Sequence, residues 1–488
     1  MKLHDILKGI DCDKINDANV EIESITFDSR MVKPQTLFVA QVGVHVDGHK
    51  FINAAIAQGA VAVACQVLPE HPQEGVTYIH VNDSNRALGL MASNFYGNPS
   101  QKLKLIGITG TNGKTTTVTL LHRLFRMKGY HVGLLSTIVN KVDEDEIPST
   151  HTTPDALELN RLLAEMVKQG CQYCFMEVSS HAIVQERIAG LTFVGGIFSN
   201  ITHDHLDFHK TMAAYIAAKK KFFDDLPAEA FALTNKDDKN GMVMVQNTRA
   251  TVKTYSLQTM ADVRCKIIES TFQGLHLMLN DTEVWTRLVG RFNAYNLMAI
   301  YGTAVLCGID PQETLVLLSQ LKAAEGRFEY VNGRGITAIV DYAHTPDALE
   351  NVLSTINDIR QQHQNLIVVV GCGGDRDPLK RPIMAKIAVS HCDRLILTSD
   401  NPRTEDPDAI LNAMEEGLTL EERASAVRIT DRLQAIRTAC MMAHEGDIIL
   451  VAGKGHEKYQ EINGVRHHFD DKEELSKLLC NNKQTDNK

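Results

Sequence analysis

Short apolar runs alternate with helix-period stretches along the whole 488-residue chain. In the first part, the runs at 36–39, 61–64 and 76–81 read as strands around a helical stretch at 52–58, a small α/β unit. Residues 103–108 are apolar and precede a helical pattern over 117–128 that puts Val118, Leu121, Leu124 and Phe125 on one face. Residues 173–178 and 194–198 read as buried strands, and 212–223 and 297–306 as helices. The last third repeats one theme. Strands at 337–340, 366–370, 394–398 and 447–451 are separated by helices at 347–361, 383–389, 409–416 and 433–443, and this alternation predicts a parallel, doubly wound sheet. Asn98-Pro99-Ser100 and Asn332-Gly333-Arg334-Gly335 carry linker chemistry. They divide the chain into units at 1–99, 100–332 and 333–488.

Between the strand at 103–108 and its helix lies GITGTNGKTT, Gly107 to Thr116. The order strand, glycine loop, helix, with Gly113, Lys114 and Thr115 at the end of the loop, matches a phosphate loop. Backbone N–H groups at a helix N-terminus suit a polyphosphate. Lys114 supplies a point charge and the Thr115 hydroxyl a Mg²⁺ ligand. An ordinary strand-to-helix turn is the bland alternative.

Other polar clusters sit where strands end. Thr152-Thr153-Pro154 precedes a helix that either threonine can cap. Glu177 ends a strand beside the phosphate-loop strand, a good position for Mg²⁺. Asn200 to His209 gathers His203, His205, His209, Asp204 and Asp207 without any zinc spacing, so one histidine is expected to complete a Mg²⁺ shell. Lys219-Lys220-Lys221 lie on a helix about 100° apart, so at least one faces inward, and a buried lysine is a depressed, nucleophilic amine. Asn293 and Asn296 share a helix face. Arg327 is a candidate phosphate contact or a surface charge.

Each strand of the last unit is followed by a polar or glycine-rich loop: Asp341 to His344, Gly371 to Asp377, Asp400 to Arg403, and Gly453 to Glu457. In a parallel sheet all four lie at one end, where ligands bind. Arg376 and Arg403 beside Asp400 and Glu457 suit a zwitterionic ligand, since arginine grips a carboxylate with two parallel bonds.

Composition narrows the field. A net charge of -10 argues against nucleic acid as a partner. No run reaches the ~18 apolar residues of a membrane span, and no secretory leader is visible at the start. The 10 cysteines are scattered, as in a reducing cytoplasm, and Cys171 and Cys174 read as core residues rather than zinc ligands.

Together GTNGKTT, EVSSH, NITHDHLDFH, GRFNAYN, GRFE, DYAHTPD, GCGGDRD and DNPR resemble the Mur ligases of cytoplasmic peptidoglycan synthesis, across all three units and in the same order. The resemblance implies an α/β protein of three domains. The first binds a UDP-sugar. The central one is a phosphate-loop mononucleotide-binding domain, and the last a Rossmann-like domain for the incoming amino acid, both with mainly parallel sheets. It implies a monomer using ATP and Mg²⁺ to join meso-diaminopimelate to UDP-MurNAc-L-Ala-D-Glu through an acyl phosphate. The DNPR loop, Asp400-Asn401-Pro402-Arg403, points to diaminopimelate rather than L-lysine. A folylpolyglutamate-synthetase-like ligase and a nucleotide-controlled switch are the other readings of the same phosphate loop.

Residue by residue, the resemblance assigns Ser29, Val44, His45 and Val46 to the UDP-sugar, with Thr152, Thr153, Ser179, Gln185 and Arg187 as further contacts to the nucleotide-peptide. Gly110, Thr111, Asn112, Gly113, Lys114, Thr115 and Thr116 hold ATP, met across the domain interface by Asn293, Arg327, Asp341 and His344. Thr115, Glu177 and His205 form the Mg²⁺ shell, and Lys219 becomes N-carboxylated to hold a second Mg²⁺. Arg376, Asp400 to Arg403, Gly453 and Glu457 bind diaminopimelate. Lys114, Lys219, His205 and Arg327 are the expected catalytic residues. The base for the attacking amine is expected to be a nearby imidazole or carboxylate, with His205 and His344 as candidates. His151 stands where the family pattern has Asn, so its role stays open.

Overall fold

The computed structural model describes residues 1–480 apart from 17, 44, 45 and 150. Three main sheets follow one another along the chain. The first has five strands, in the spatial order Asp13–Ile15, Thr77–His80, Ala60–Cys65, Thr36–Val39, Ser24–Thr26, with only the Asp13–Ile15 strand antiparallel.

The second sheet has eleven strands. At its middle, Lys104–Thr109 lies between Tyr173–Glu177 and Gly195–Phe198, all parallel. Their carboxyl ends therefore open side by side, and Gly110, Glu177 and Ser199 come together at one crevice. The helix Lys114–Met127 covers this centre with Val118, Leu121, Leu124 and Phe125, all buried as the periodicity predicts. Both flanks carry antiparallel strands that the apolar pattern did not announce. On one side Val139–Val142 and Asp145–Pro148 fold back on Val132–Leu135. On the other, Val263–Thr271, Gly274–Leu279 and Thr282–Thr286 form a meander beyond Thr251–Ser256. The outermost strand of that meander holds the chain's one tryptophan. Trp285 is 61% exposed and its ring stacks 3.8 Å from that of His276.

The third sheet confirms the strand–helix alternation. Ile336–Asp341, Ile448–Ala452, Leu366–Val370, Arg394–Leu397 and Val427–Arg428 run parallel. Glu329–Gly333 adds an antiparallel edge. The segment Asn332 to Gly335, which reads as a linker, is the end of that edge strand and the two-residue turn of its hairpin, with Arg334 and Gly335 at positive φ. Beneath the sheet's carboxyl end, Arg432 and Asp471 form a fully buried pair at 2.7 Å. Arg432 also donates to the carbonyls of Ser399 and Ala452, so one guanidinium ties two loops to the helix Asp471–Cys480.

Two local readings are corrected. The helix Ala156–Lys168 is capped by Asp155, which accepts from the amides of Leu157 and Glu158, so neither Thr152 nor Thr153 is the cap. The helix expected at 297 starts at Arg291, because Asn293 and Asn296 satisfy each other and the backbone inside it: Asn296 donates to Asn293 Oδ1 at 2.9 Å and Asn293 to the Val289 carbonyl at 2.8 Å. Among the described residues no helix is long and apolar enough to cross a membrane.

Candidate active site

The phosphate loop is held rigid by its neighbours. Gly113 caps the helix at φ +87°, and a Cβ there would lie 2.5 Å from Asn296 Oδ1. At Gly110 a Cβ would meet Ser199 Oγ at 1.9 Å. Asn112 donates its amide to Asn200 Oδ1 and its carbonyl accepts from Ser199 Oγ at 2.7 Å. Among the described residues no side chain caps the first turn of the following helix, so its amides and positive dipole end are left for an anion. The Lys114 ammonium bends back over the loop, donating to the carbonyls of Gly110 and Thr111 at 2.9 Å.

Glu177 is 1% exposed. One of its oxygens accepts the Thr137 amide at 2.8 Å, while Oε2 is buried with no hydrogen-bond partner. A buried carboxylate oxygen left unpaired is costly, and a bound cation would satisfy it. Of the lysine triplet, Lys219 turns inward at 1% exposure, where it donates to the Gly110 carbonyl at 2.9 Å and sits 4.7 Å from the Tyr215 ring centroid. Burial, reinforced by the charge of Lys114, pushes its pKa well below the usual lysine range. Lys220 and Lys221 instead pair with Asp224 and Asp225 on the helix flank.

The histidine-rich loop does not converge on one point. His205 has φ +54° and an exposed side chain beside Asp204, with its ring edge-on to His181 at 4.9 Å. His209 is buried, 2.9 Å from Ser180 Oγ. Among the described residues no trio of His, Cys, Asp or Glu is assembled for a metal. The Thr115 hydroxyl, the Glu177 and Asp204 carboxylates and the His205 imidazole line the same cleft as the phosphate loop, and oxygen-rich donors of this kind suit Mg²⁺ better than a transition metal.

Groups from the third sheet meet the phosphate loop. Arg327 lies 4.5 Å above the Tyr342 ring and donates to Thr115 Oγ1 at 3.3 Å, while its Nε is buried without a partner. Asp341 accepts the amides of Phe328 and Ala343 at 2.7 and 2.8 Å, and burial raises its pKa to about 6. His344 Nδ1 lies 2.9 Å from the Tyr342 carbonyl. That nitrogen must carry the proton, which leaves Nε2 as an acceptor.

Farther along the same sheet end, Arg403 at φ +52° donates to the Gly374 carbonyl at 2.6 Å. Asp400 is 7% exposed, and a Cβ on Gly453 would lie 2.4 Å from its Oδ2. Asn401 donates to Glu457 Oε2 at 2.7 Å. Burial and the nearby Asp400 push the Glu457 carboxyl up. Arg376 is exposed at the rim. On the opposite wall, Arg187 donates to the Thr153 carbonyl at 2.7 Å and to Gln185, and Thr153 Oγ1 reaches both the Glu177 carbonyl and Ser179.

These walls enclose one cleft of about 1640 Å³. It is lined by Thr111 to Thr116, Thr152, Thr153, Glu177, Ser179, Arg187, His205, Arg327, Asp341, His344, Arg376, Asp400, Asn401, Arg403, Gly453 and Glu457. Gly110, Gln185, Lys219, Asn293 and Pro402 are not among the residues that line it. Ser29 and the 57%-exposed Val46 lie on the first unit, outside the cleft, and Val44 and His45 fall outside the described residues. Sequence reasoning missed Asn112 and Asp347 as partners across the cleft, bonded at 2.7 Å, and missed Lys454. The second Asp of DYAHTPD and the Lys of GKGHE were the available signals.

The family models described as Mur ligase family, catalytic domain, Mur ligase middle domain, and Mur ligase, glutamate ligase domain match residues 21–96, 108–304 and 326–455. The UDP-N-acetylmuramoyl-L-alanyl-D-glutamate--2,6-diaminopimelate ligase of Phocaeicola vulgatus is 54% identical over 483 residues, 99% of this chain and 100% of that protein. Its namesake from Cytophaga hutchinsonii is 57% identical over 94% of this chain and 95% of its own. A solved structure of a ligase with the same name superposes with a TM-score of 0.71 at 32% identity, covering 99% of this chain and all of that one. On this evidence the chain belongs to the Mur ligase family.

Proposed function

We propose that this chain is an ATP-dependent acid–amino-acid ligase that adds meso-diaminopimelate to UDP-N-acetylmuramoyl-L-alanyl-D-glutamate in cytoplasmic peptidoglycan precursor synthesis. The observation that carries this reading is the shared cleft. Its phosphate loop faces, in one continuous space, loops that offer both arginines and carboxylates to a zwitterion. A nucleotide switch needs no such amino-acid face. The full-length identity to proteins named as this ligase supports the same choice. In this reading residues 1–99 hold the UDP-sugar, with Ser29 and the loop at Val46, 100–332 hold ATP, and 333–488 hold the amino acid.

The terminal glutamyl carboxylate attacks the γ-phosphate of ATP, forming an acyl phosphate and releasing ADP. The diaminopimelate amine then attacks the acyl carbon, the amide bond forms and phosphate departs. Phosphoryl transfer of this kind rests on positioning and charge neutralisation. Lys114 and the amides of residues 110–116 hold the phosphates, and Arg327, stacked on Tyr342, neutralises charge from the opposite side. Thr115, Glu177 and His205 would hold Mg²⁺, which shields the phosphate oxygens. Lys219, whose amine is neutral at low cost, is the lysine that takes up CO₂ as a carbamate, losing a proton and gaining a carboxylate. Arg376 and Arg403 grip carboxylates of the incoming amino acid, Asp400 and Glu457 take its ammonium, and Asn401 holds Glu457 in place. The free Nε2 of His344 accepts the proton of the attacking amine.

The test is phosphate release with ATP, Mg²⁺ and UDP-MurNAc-L-Ala-D-Glu, comparing meso-diaminopimelate with L-lysine. Release with diaminopimelate alone is expected. Release with lysine alone keeps the ligase and overturns the reading of Arg403; release that ignores both amino acids overturns the ligase.

A further inference from the structure

Lys454 sits between two glycines of a loop, a setting that reads as a surface cation. It is instead 0% exposed. Its ammonium spans three elements. It donates to Asn401 Oδ1 at 3.1 Å, on the loop after Arg394–Leu397. It donates to Glu457 Oε2 at 3.4 Å within its own loop. It also donates to the carbonyl of Tyr459, on the strand Tyr459–Ile462, and lies 5.4 Å from that ring. An ammonium has three donors and no acceptor, so these partners use it completely. Lys454 has no N–H left for a ligand and no surface to reach one.

What it fixes are two groups that line the cleft. Asn401 Oδ1 faces two pure donors, Lys454 Nζ and the Glu461 amide at 2.9 Å. That sets the amide's orientation and aims Nδ2 at Glu457 Oε2. Glu457 Oε2 therefore receives both Asn401 and Lys454, and its Oε1 remains the oxygen for a bound ammonium. The cation also offsets a local excess of negative charge, since Asp400 and burial both disfavour ionised Glu457. Arg432, besides its pair with Asp471, reaches these two segments through the backbone carbonyls of Ser399 and Ala452. The division is clear: Arg432 anchors the main chain of these two loops, and Lys454 sets their side chains.

We infer that Lys454 is a positioning residue for the amino-acid subsite, locking Asn401 and, directly and through it, Glu457 in the geometry that leaves Glu457 Oε1 for the ammonium of the incoming amino acid. This rests on the ligase reading above. It sets amino-acid affinity without touching the amino acid, the nucleotide or the reacting carbonyl.

The test is steady-state kinetics of the full-length enzyme with Lys454→Met, which keeps an unbranched apolar stem and removes the ammonium. The KM for meso-diaminopimelate should rise at least tenfold, with the KM for ATP and for the UDP-sugar peptide within twofold of the parent and an unfolding midpoint within a few degrees. A merely structural lysine would lower kcat and stability while leaving the three KM values in proportion. That pattern, or an unchanged KM for diaminopimelate, overturns the inference. If Lys454→Met does not fold, Lys454→Gln repeats the measurement, and failure of both to fold also overturns it. Parent enzyme that shows no diaminopimelate-dependent phosphate release would instead overturn the ligase reading, so the two failures are distinguishable.

Discussion

The side-chain amide of Asn112, in the phosphate loop, donates to Asp347 Oδ2 at 2.7 Å across 235 positions of sequence. With the Arg327–Thr115 contact at 3.3 Å, it joins the nucleotide loop directly to segments flanking the third sheet, Asp347 lying on the helix Pro346–Ile359. A hydrogen bond to a charged group is worth about 1.5–3 kcal/mol. Asp347→Ala should therefore loosen the nucleotide-free protein, read as a larger radius of gyration in X-ray scattering. Asp347→Asn keeps an acceptor for Asn112 and should leave the radius unchanged. Equal radii for all three proteins would show that the bond does not restrain the units.

Lys219 should leave a mark on stability as a function of pH. Its folded pKa is depressed, so between that value and its unfolded value the unfolded chain binds the extra proton. Stability then rises with pH across this window, by up to ~1.4 kcal/mol per unit for one proton, and is lost as pH falls. In CO₂-depleted buffer, Lys219→Met should remove that slope, so its stability relative to the parent is greatest near neutral pH and shrinks toward pH ~10. Urea unfolding at two pH values measures it, and parallel shifts at both would contradict the buried amine.

Glu177→Gln keeps an oxygen for the Thr137 amide but replaces the unpartnered carboxylate oxygen by a donor. The Mg²⁺ concentration for half-maximal activity should rise at least tenfold, with the fold intact. An unmoved Mg²⁺ curve would remove Glu177 from the cation site.

Breaking the Arg432–Asp471 pair leaves a charge with 0% exposure uncompensated, which costs about 3–5 kcal/mol. Arg432→Met should lower the melting temperature clearly, and adding Asp471→Leu should restore part of the loss. A double variant less stable than Arg432→Met would show that other bonds of Asp471 dominate.

The strands of the third sheet were legible because both faces are covered: Leu366–Val370 is buried at every position, and such a strand reads as an unbroken apolar run. The phosphate loop was legible because its chemistry demands glycines and Lys-Thr at one spacing. The meander at 263–286 was not, because Val263–Thr271 mixes buried Val263 and Cys265 with exposed Lys266, Ile268 and Glu269 and shifts register between Ile267 and Glu269. Asn293 and Asn296 hid a helix start because their polar groups are satisfied internally. Lys454 and Arg432 hid because sequence shows a charge but not the carbonyls gathered around it.

The position of Trp285 decides how ligand binding in this protein can be watched by light. The sole indole lies on the outermost strand, six strands from the phosphate-loop strand, and is stacked on an imidazole. Intrinsic emission will therefore report on the state of that sheet edge and stay silent while nucleotide or amino acid enters the cleft. An optical probe of binding has to be introduced by substitution at an aromatic of the cleft wall such as Phe292, with Trp285→Phe as its dark background.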